Sequence, residues 1–218
     1  MRRAIVRITD LTKAYGRAEP RLVALAGVTL ELTPGEVVLL RGRSGSGKTT
    51  LLNIVAGWVD PDSGDVDWSG GRTSREQRWD QVAIVPQTLG LLEELSIDEN
   101  IGLALRLGRT DLDDEANAVR DMMRRLEIAH LNGRRVSDCS LGEQQRAAVA
   151  RALVVEPVLL LADEPSAHQD IDRQGLVWSQ ISETAARGGA VLATGHDRDA
   201  ERYCDRIVEL RDGHLLQH

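Results

Sequence analysis

Glu36-Val37-Val38-Leu39-Leu40-Arg41-Gly42-Arg43-Ser44-Gly45-Ser46-Gly47-Lys48-Thr49-Thr50-Leu51-Leu52-Asn53-Ile54-Val55 runs from an apolar segment through a glycine-rich loop into a second apolar segment. The first segment is short and β-branched, which predicts a buried strand; the second predicts a helix over residues 49–58. Between them, Gly42 to Thr49 satisfies the spacing G-x-x-x-x-G-K-[ST] in the strand-to-helix context that gives it meaning. Glycines let the backbone wrap a phosphate chain with its N–H groups turned inward. The helix that begins there adds the positive end of its dipole. Lys48 is placed to reach the outer phosphates, and the Thr49 hydroxyl to hold Mg²⁺. Residues 42–50 (Gly42, Arg43, Ser44, Gly45, Ser46, Gly47, Lys48, Thr49 and Thr50) are therefore the expected nucleotide-contacting set.

Downstream, Val158-Leu159-Leu160-Leu161-Ala162-Asp163-Glu164 ends an apolar strand in two carboxylates. In α/β folds ligands bind at the carboxyl edge of the sheet. Asp163 suits support of Mg²⁺, and Glu164 the positioning or deprotonation of an attacking water.

The rest of the chain arranges itself around these two signals. Residues 4–9 and 28–32 read as strands, Pro34-Gly35 and residues 61–64 as turns, and residues 82–85 as a strand stopped by Pro86. Ser96 with Glu99 has the capping-box spacing at the start of a helix. Asp113-Asp114-Glu115 place negative charge at the start of a second helix, with Ala116, Val119, Met123 and Leu126 as its apolar stripe. A third helix is expected over residues 142–155. Alternation then resumes: a helix over 172–187, a strand over 190–194, and a strand over 206–210 closed by the hairpin signal Asp212-Gly213. Strands alternating with helices predict an α/β fold with a mostly parallel sheet. The expected division of a single 1–218 domain is a core from residues 1–87 and 156–218, with an N-terminal antiparallel β subdomain, and an inserted helical lobe at 88–155.

Composition narrows the function classes. The 218 residues are 42% hydrophobic and 28% charged, enough for a folded core, and with no Phe that core must be built from Leu, Val, Ile and Ala. The formal charge of −7 argues against sequence-independent binding of nucleic acid, which needs a basic surface. Cys139 and Cys204 form neither a disulfide framework nor a zinc spacing. Neither a signal-peptide pattern nor an apolar run of about 20 residues is present, so the expectation is a soluble, cytosolic chain that reaches a membrane only through a partner.

Taken in order, the motifs resemble the nucleotide-binding subunit of an ABC transporter, and the resemblance covers essentially the whole chain. Gln87, in Val85-Pro86-Gln87, matches the family's Q-loop; Ser140-Leu141-Gly142-Glu143-Gln144 stands at its signature motif; Asp170 ends a D-loop-like segment. His196, in Thr194-Gly195-His196-Asp197, matches the switch histidine, and Tyr15 the aromatic residue that stacks on adenine. The resemblance implies a P-loop NTPase core that binds and hydrolyses MgATP. It implies catalytic roles for Glu164, His196, Gln87 and Lys48, and metal contacts from Thr49, Gln87 and Asp163. Ser140, Gly142, Glu143, Gln144 and Asp170 would meet nucleotide across a dimer of cassettes. It further implies two partners, a second ATPase subunit and an integral-membrane permease, with the chain on the cytoplasmic face of the membrane.

Two departures stand out. Cys139-Ser140-Leu141-Gly142 replaces the usual Leu-Ser-Gly-Gly, so that a side chain stands where the family's backbone approaches a γ-phosphate. Ala167-His168-Gln169-Asp170 replaces the common Ser-Ala-Leu-Asp. These keep open a weakly hydrolysing cassette that uses ATP as a dimerisation switch in a heterodimer. A soluble ABC ATPase of repair or translation is the other rival. The compact length, with Leu89-Gly90-Leu91-Leu92 and the ending at residues 209–213, resembles the lipoprotein-releasing and macrolide-exporting group, and leaves no expected regulatory domain.

Overall fold

The computed structural model describes residues 3–16, 21–69, 81–108, 114–195 and 200–216. Its frame is a six-stranded sheet ordered β5-β6-β7-β3-β8-β9, with β3 (Glu36–Arg41), β5 (Val82–Val85), β6 (Leu159–Ala162), β7 (Ala190–Thr194) and β8 (Arg206–Arg211) parallel. Only β9 (His214–Leu216) runs antiparallel, as the return strand of the expected hairpin at Asp212-Gly213. A three-stranded antiparallel sheet, β2-β1-β4, is built from β1 (Val6–Tyr15), β2 (Leu22–Leu32) and β4 (Ser63–Trp68).

The central strands are apolar throughout because both of their faces are covered. Val38, Leu40, Leu159, Leu161, Ala190 and Leu192 point into one core, shared with the antiparallel sheet and with α1 (Lys48–Val55). Their alternate neighbours Val37, Leu39, Leu160, Ala162, Val191 and Ala193 point into a second core. That core is shared with α2 (Ile97–Gly108), α3 (Glu115–Arg125), α4 (Leu141–Leu153) and α5 (Ile171–Ala186). The side-chain period of two thus divides one sheet between two cores. Trp178 is wholly buried in the second core, and its indole donates to Ser166 Oγ at 3.0 Å.

Several boundaries differ from the sequence reading. The first strand extends to Tyr15 rather than stopping near residue 9, because register shifts after Ile8, Leu11 and Lys13 absorb the polar residues around the buried Leu11 while pairing continues. Residues 63–64 belong to β4, not to a turn: Gly64 adopts φ +87° and an added Cβ would meet the Asp10 carbonyl oxygen at 2.4 Å. The first helix ends at Val55 instead of running to 58. On α3, Val119, Met123 and Leu126 are buried but Ala116 is exposed; Met122 takes its place on the inner face. Asp114 caps α3 by accepting from Asn117 N; Asp113 lies outside the described residues. The Ser96–Glu99 box forms as expected, with Ser96 N donating to Glu99 Oε2 at 2.9 Å. No helix among the described residues is long and apolar enough to cross a membrane.

Candidate functional site

Because β5, β6, β7 and β3 are parallel neighbours, the segments that follow them emerge at one sheet edge. Gln87 follows β5, Asp163 and Glu164 follow β6, Gly195 follows β7, and the glycine-rich loop follows β3.

The loop is close-fitting. A Cβ on Gly42 would lie 2.2 Å from the Leu210 carbonyl oxygen, and one on Gly47 (φ +104°) 2.2 Å from the Ala24 carbonyl oxygen. Lys48 is buried and curls back over the loop, donating to the carbonyls of Gly42 at 2.8 Å and Arg43 at 3.2 Å. Helix α1 starts here with no side-chain cap and no acidic residue in its first turn, so its N-terminal N–H groups and dipole face the loop uncompensated. Ser46 Oγ is buried with no hydrogen-bond partner among the described residues. A loop with a buried cation, free helix N–H groups and an orphaned hydroxyl is suited to an anionic ligand.

Thr49 Oγ1 donates to Asp163 Oδ2 at 2.6 Å, joining the loop to the end of β6 across the intervening β7. From the end of β7, Thr194 Oγ1 donates to Asp163 Oδ1 at 2.6 Å and accepts from Glu164 N at 2.9 Å. Thr194 is fully buried, and the sequence reading passed over its role. The available signal was a hydroxyl ending an otherwise apolar strand. The donor set suits Mg²⁺: one carboxylate and one hydroxyl beside a phosphate-binding loop, with no cluster of three His, Cys, Asp or Glu among the described residues. Mg²⁺ commonly takes few protein oxygens and completes its shell with phosphate and water.

A cleft of about 260 Å³ runs from the loop to both sheet ends, lined by Lys48, Thr49, Thr50, Gln87, Asp163 and Glu164, with Tyr15 and Leu22 at its far wall. Tyr15 and Leu22 are register partners at the open end of the β1–β2 pair, 41% and 71% exposed. Lys13 Nζ sits 5.6 Å from the Tyr15 ring centroid. The cleft thus has a polar end for phosphates and an apolar end for a flat ring. Arg43 and Ser46 instead line a separate hollow with residues 209–212.

The predicted signature residues lie elsewhere, and two of the side chains turn inward. Ser140 caps α4, with its N and Oγ donating to Glu143 Oε2 at 2.8 and 2.7 Å. Glu143 Oε1 meets His130 Nε2 at 2.9 Å. The bonds to His130 and Ser140 hold the Glu143 carboxyl down at about 2. The Gln144 amide donates to the carbonyls of Val136 and Cys139. Leu141, by contrast, is 49% exposed. Asp170 caps α5 and pairs with Arg173, whose backbone and side-chain hydrogen bonds lower its carboxyl. His196 lies outside the described residues.

Comparison with known proteins agrees with this geometry. A family model described as ABC transporter matches residues 25–167. An uncharacterised ABC transporter ATP-binding protein of Mycobacterium tuberculosis is 34% identical, the alignment covering 99% of this chain and 90% of the relative. The lipoprotein-releasing system ATP-binding protein LolD of Pseudomonas fluorescens is 35% identical, with 98% of each covered. Among solved structures, a dimeric post-hydrolysis state of the ATP-binding cassette MJ0796 bound to ADP and Pi superposes with a TM-score of 0.89 at 27% identity, covering 97% of both chains.

Proposed function

This chain belongs to the ABC transporter ATP-binding family, whose members are ATPases coupled to transport, and from that premise we propose that its cleft takes MgATP and hydrolyses it after closing against a second cassette. The observation that carries the reading is the Thr49–Asp163 bond, which sets a hydroxyl and a carboxylate beside Lys48 at the mouth of the glycine-rich loop. In this reading residues 42–50 hold the phosphates, Lys48 exchanging its two carbonyl acceptors for phosphate oxygens. Tyr15 carries the base. Thr49, Asp163 and Gln87, which line the same cleft, would hold Mg²⁺, and the ion would supply neutralisation of charge on the phosphate oxygens. Glu164 orients and deprotonates the attacking water, and His196, from its place in the sequence, stabilises the charge that develops.

Ser140, Gly142 and Asp170 face the second cassette, while Glu143 and Gln144 serve that contact from behind, by shaping the start of α4. Residues 88–155 move as a lobe on the core formed by 1–87 and 156–218, carrying the state of Gln87 to an integral-membrane permease on the cytoplasmic face of the membrane. The full-length likeness to LolD supports placement in the lipoprotein-releasing and macrolide-exporting group. A slowly hydrolysing heterodimeric switch is the second reading, favoured by the exposed Leu141.

Equilibrium binding of fluorescent ATP to the full chain tests the site. Lys48→Ala is expected to weaken binding at least about tenfold, the loss of one charge-assisted contact or more. Asp163→Asn is expected to abolish the gain in affinity that Mg²⁺ gives the wild type over EDTA. Wild-type affinity in both variants overturns the reading.

A further inference from the structure

Glu164 has an unusual backbone. Its φ is +50°, in the left-handed region that a non-glycine residue enters only when its surroundings hold it there. Thr194 Oγ1 accepts from its N–H on one side. On the other, Gln145 Nε2 donates to its carbonyl oxygen at 2.8 Å.

Gln145 is 2% exposed and both ends of its amide are engaged. Its Oε1 accepts from the backbone N–H of His168 at 3.0 Å and meets His168 Nδ1 at 3.0 Å. These partners fix the chemistry. The Glu164 carbonyl can only accept and the His168 N–H can only donate, so Nε2 and Oε1 cannot be exchanged, and the imidazole must carry its hydrogen on Nδ1. The neighbouring residue attaches the same segment to the start of α4: Gln169 Nε2 donates to the Gly142 carbonyl at 2.8 Å, and Arg146 Nη1 donates to Gln169 Oε1 at 2.7 Å. The contact is tight, since a Cβ on Gly142 would lie 2.8 Å from the His168 carbonyl oxygen. His168 and Gln169 are the two residues that depart most from the family's D-loop pattern, and here they have defined work.

We propose that His168 is a positioning residue that acts through Gln145, locking the amide that holds Glu164 in its left-handed conformation and so aiming its carboxylate at the water. The proposal rests on the assignment of Glu164 to water activation. Loss of the imidazole leaves Gln145 Oε1 with one donor instead of two. The amide then holds the Glu164 carbonyl less firmly, and the carboxylate samples orientations that do not serve the attack. Nucleotide binding, which uses the glycine-rich loop at the other side of the cleft, is untouched.

The test is steady-state ATPase of the full chain with Ala and Asn at position 168, beside Glu164→Gln. His168→Ala is expected to lower kcat about tenfold, or about 1.4 kcal/mol of barrier, with KM unchanged within about twofold, because a mis-aimed Glu164 carboxylate affects the chemical step and not the grip on nucleotide. His168→Asn is expected to recover most of that loss, since its amide N–H stands near the place of Nδ1–H. Gln145→Leu is expected to lower kcat at least as far, and amide hydrogen exchange of residues 163–170 to quicken in both Gln145→Leu and His168→Ala. A kcat for His168→Ala within twofold of wild type, or an Asn variant no better than Ala, overturns the proposal. A Glu164→Gln variant as active as wild type brings down the underlying assignment instead.

Discussion

Leu141 is the first residue of α4 and half of its surface is exposed, although its backbone belongs to the signature segment. In the proposed closed dimer, a γ-branched side chain there would hold a phosphate chain off the Ser140 and Gly142 backbone, which glycine would not do. Leu141→Gly is expected to raise ATP turnover of the assembled cassettes several-fold, about 1 kcal/mol of barrier. Its cost to α4 is of similar size, about 1 kcal/mol of stability. Turnover per folded protein checks this, and an unchanged rate removes Leu141 as an obstacle to hydrolysis. At this scale legibility followed spacing. Lys48 and Thr49 stand at the spacing of a phosphate loop and Asp163 at the end of an apolar strand, and the structure brings them within hydrogen-bond reach of their loop or each other. Thr194 and Gln145 could not be found that way. Thr194 offered only a hydroxyl at the end of an apolar strand; the importance of both residues comes from what the strand order and the packing of α4 set beside them.

Among the elements, α4 is the one whose start the site depends on. Its capping box engages Ser140 and Glu143 in both directions, and His130 adds a third bond to the same carboxylate. The Glu143 carboxyl is held at about 2 against an ordinary 4.5, so its charged form stabilises the folded state. That contribution is complete above pH 4.5 and is lost as pH falls through 2. Glu143→Gln, which can still cap but cannot titrate, is expected to melt about 2–4 °C below wild type at pH 6. The gap should close as pH approaches 2. Melting curves at matched ionic strength check this, and a gap independent of pH would contradict it. Element types were legible from periodicity and capping pairs such as Ser96 with Glu99. Boundaries were less so. The bulges of β1 and the close approach of Gly64 to the Asp10 carbonyl are decided by the neighbouring strand.

For the whole molecule, the order β5-β6-β7-β3 brings the segments after β5, β6 and β3, far apart in the sequence, to one cleft. A parallel sheet was readable from strands alternating with helices, but the order of its strands was not. It is the order that sets Thr194, at the end of β7, between the two halves of the site. The two cores, one on each face of this sheet, make the edge a rigid platform, while α2, α3 and α4 pack on one face only. On the proposed assignment, in which the loop after β3 holds phosphates and the segment after β6 activates water, binding and hydrolysis should separate. The most direct measurement is ATP turnover by the full-length chain beside its Glu164→Gln variant, with nucleotide affinity determined on the same preparations. Turnover is expected to be at least about a hundredfold lower in the variant, with the ATP dissociation constant unchanged within about twofold. Equal turnover in the two proteins, or a parallel loss of binding and turnover, would contradict it.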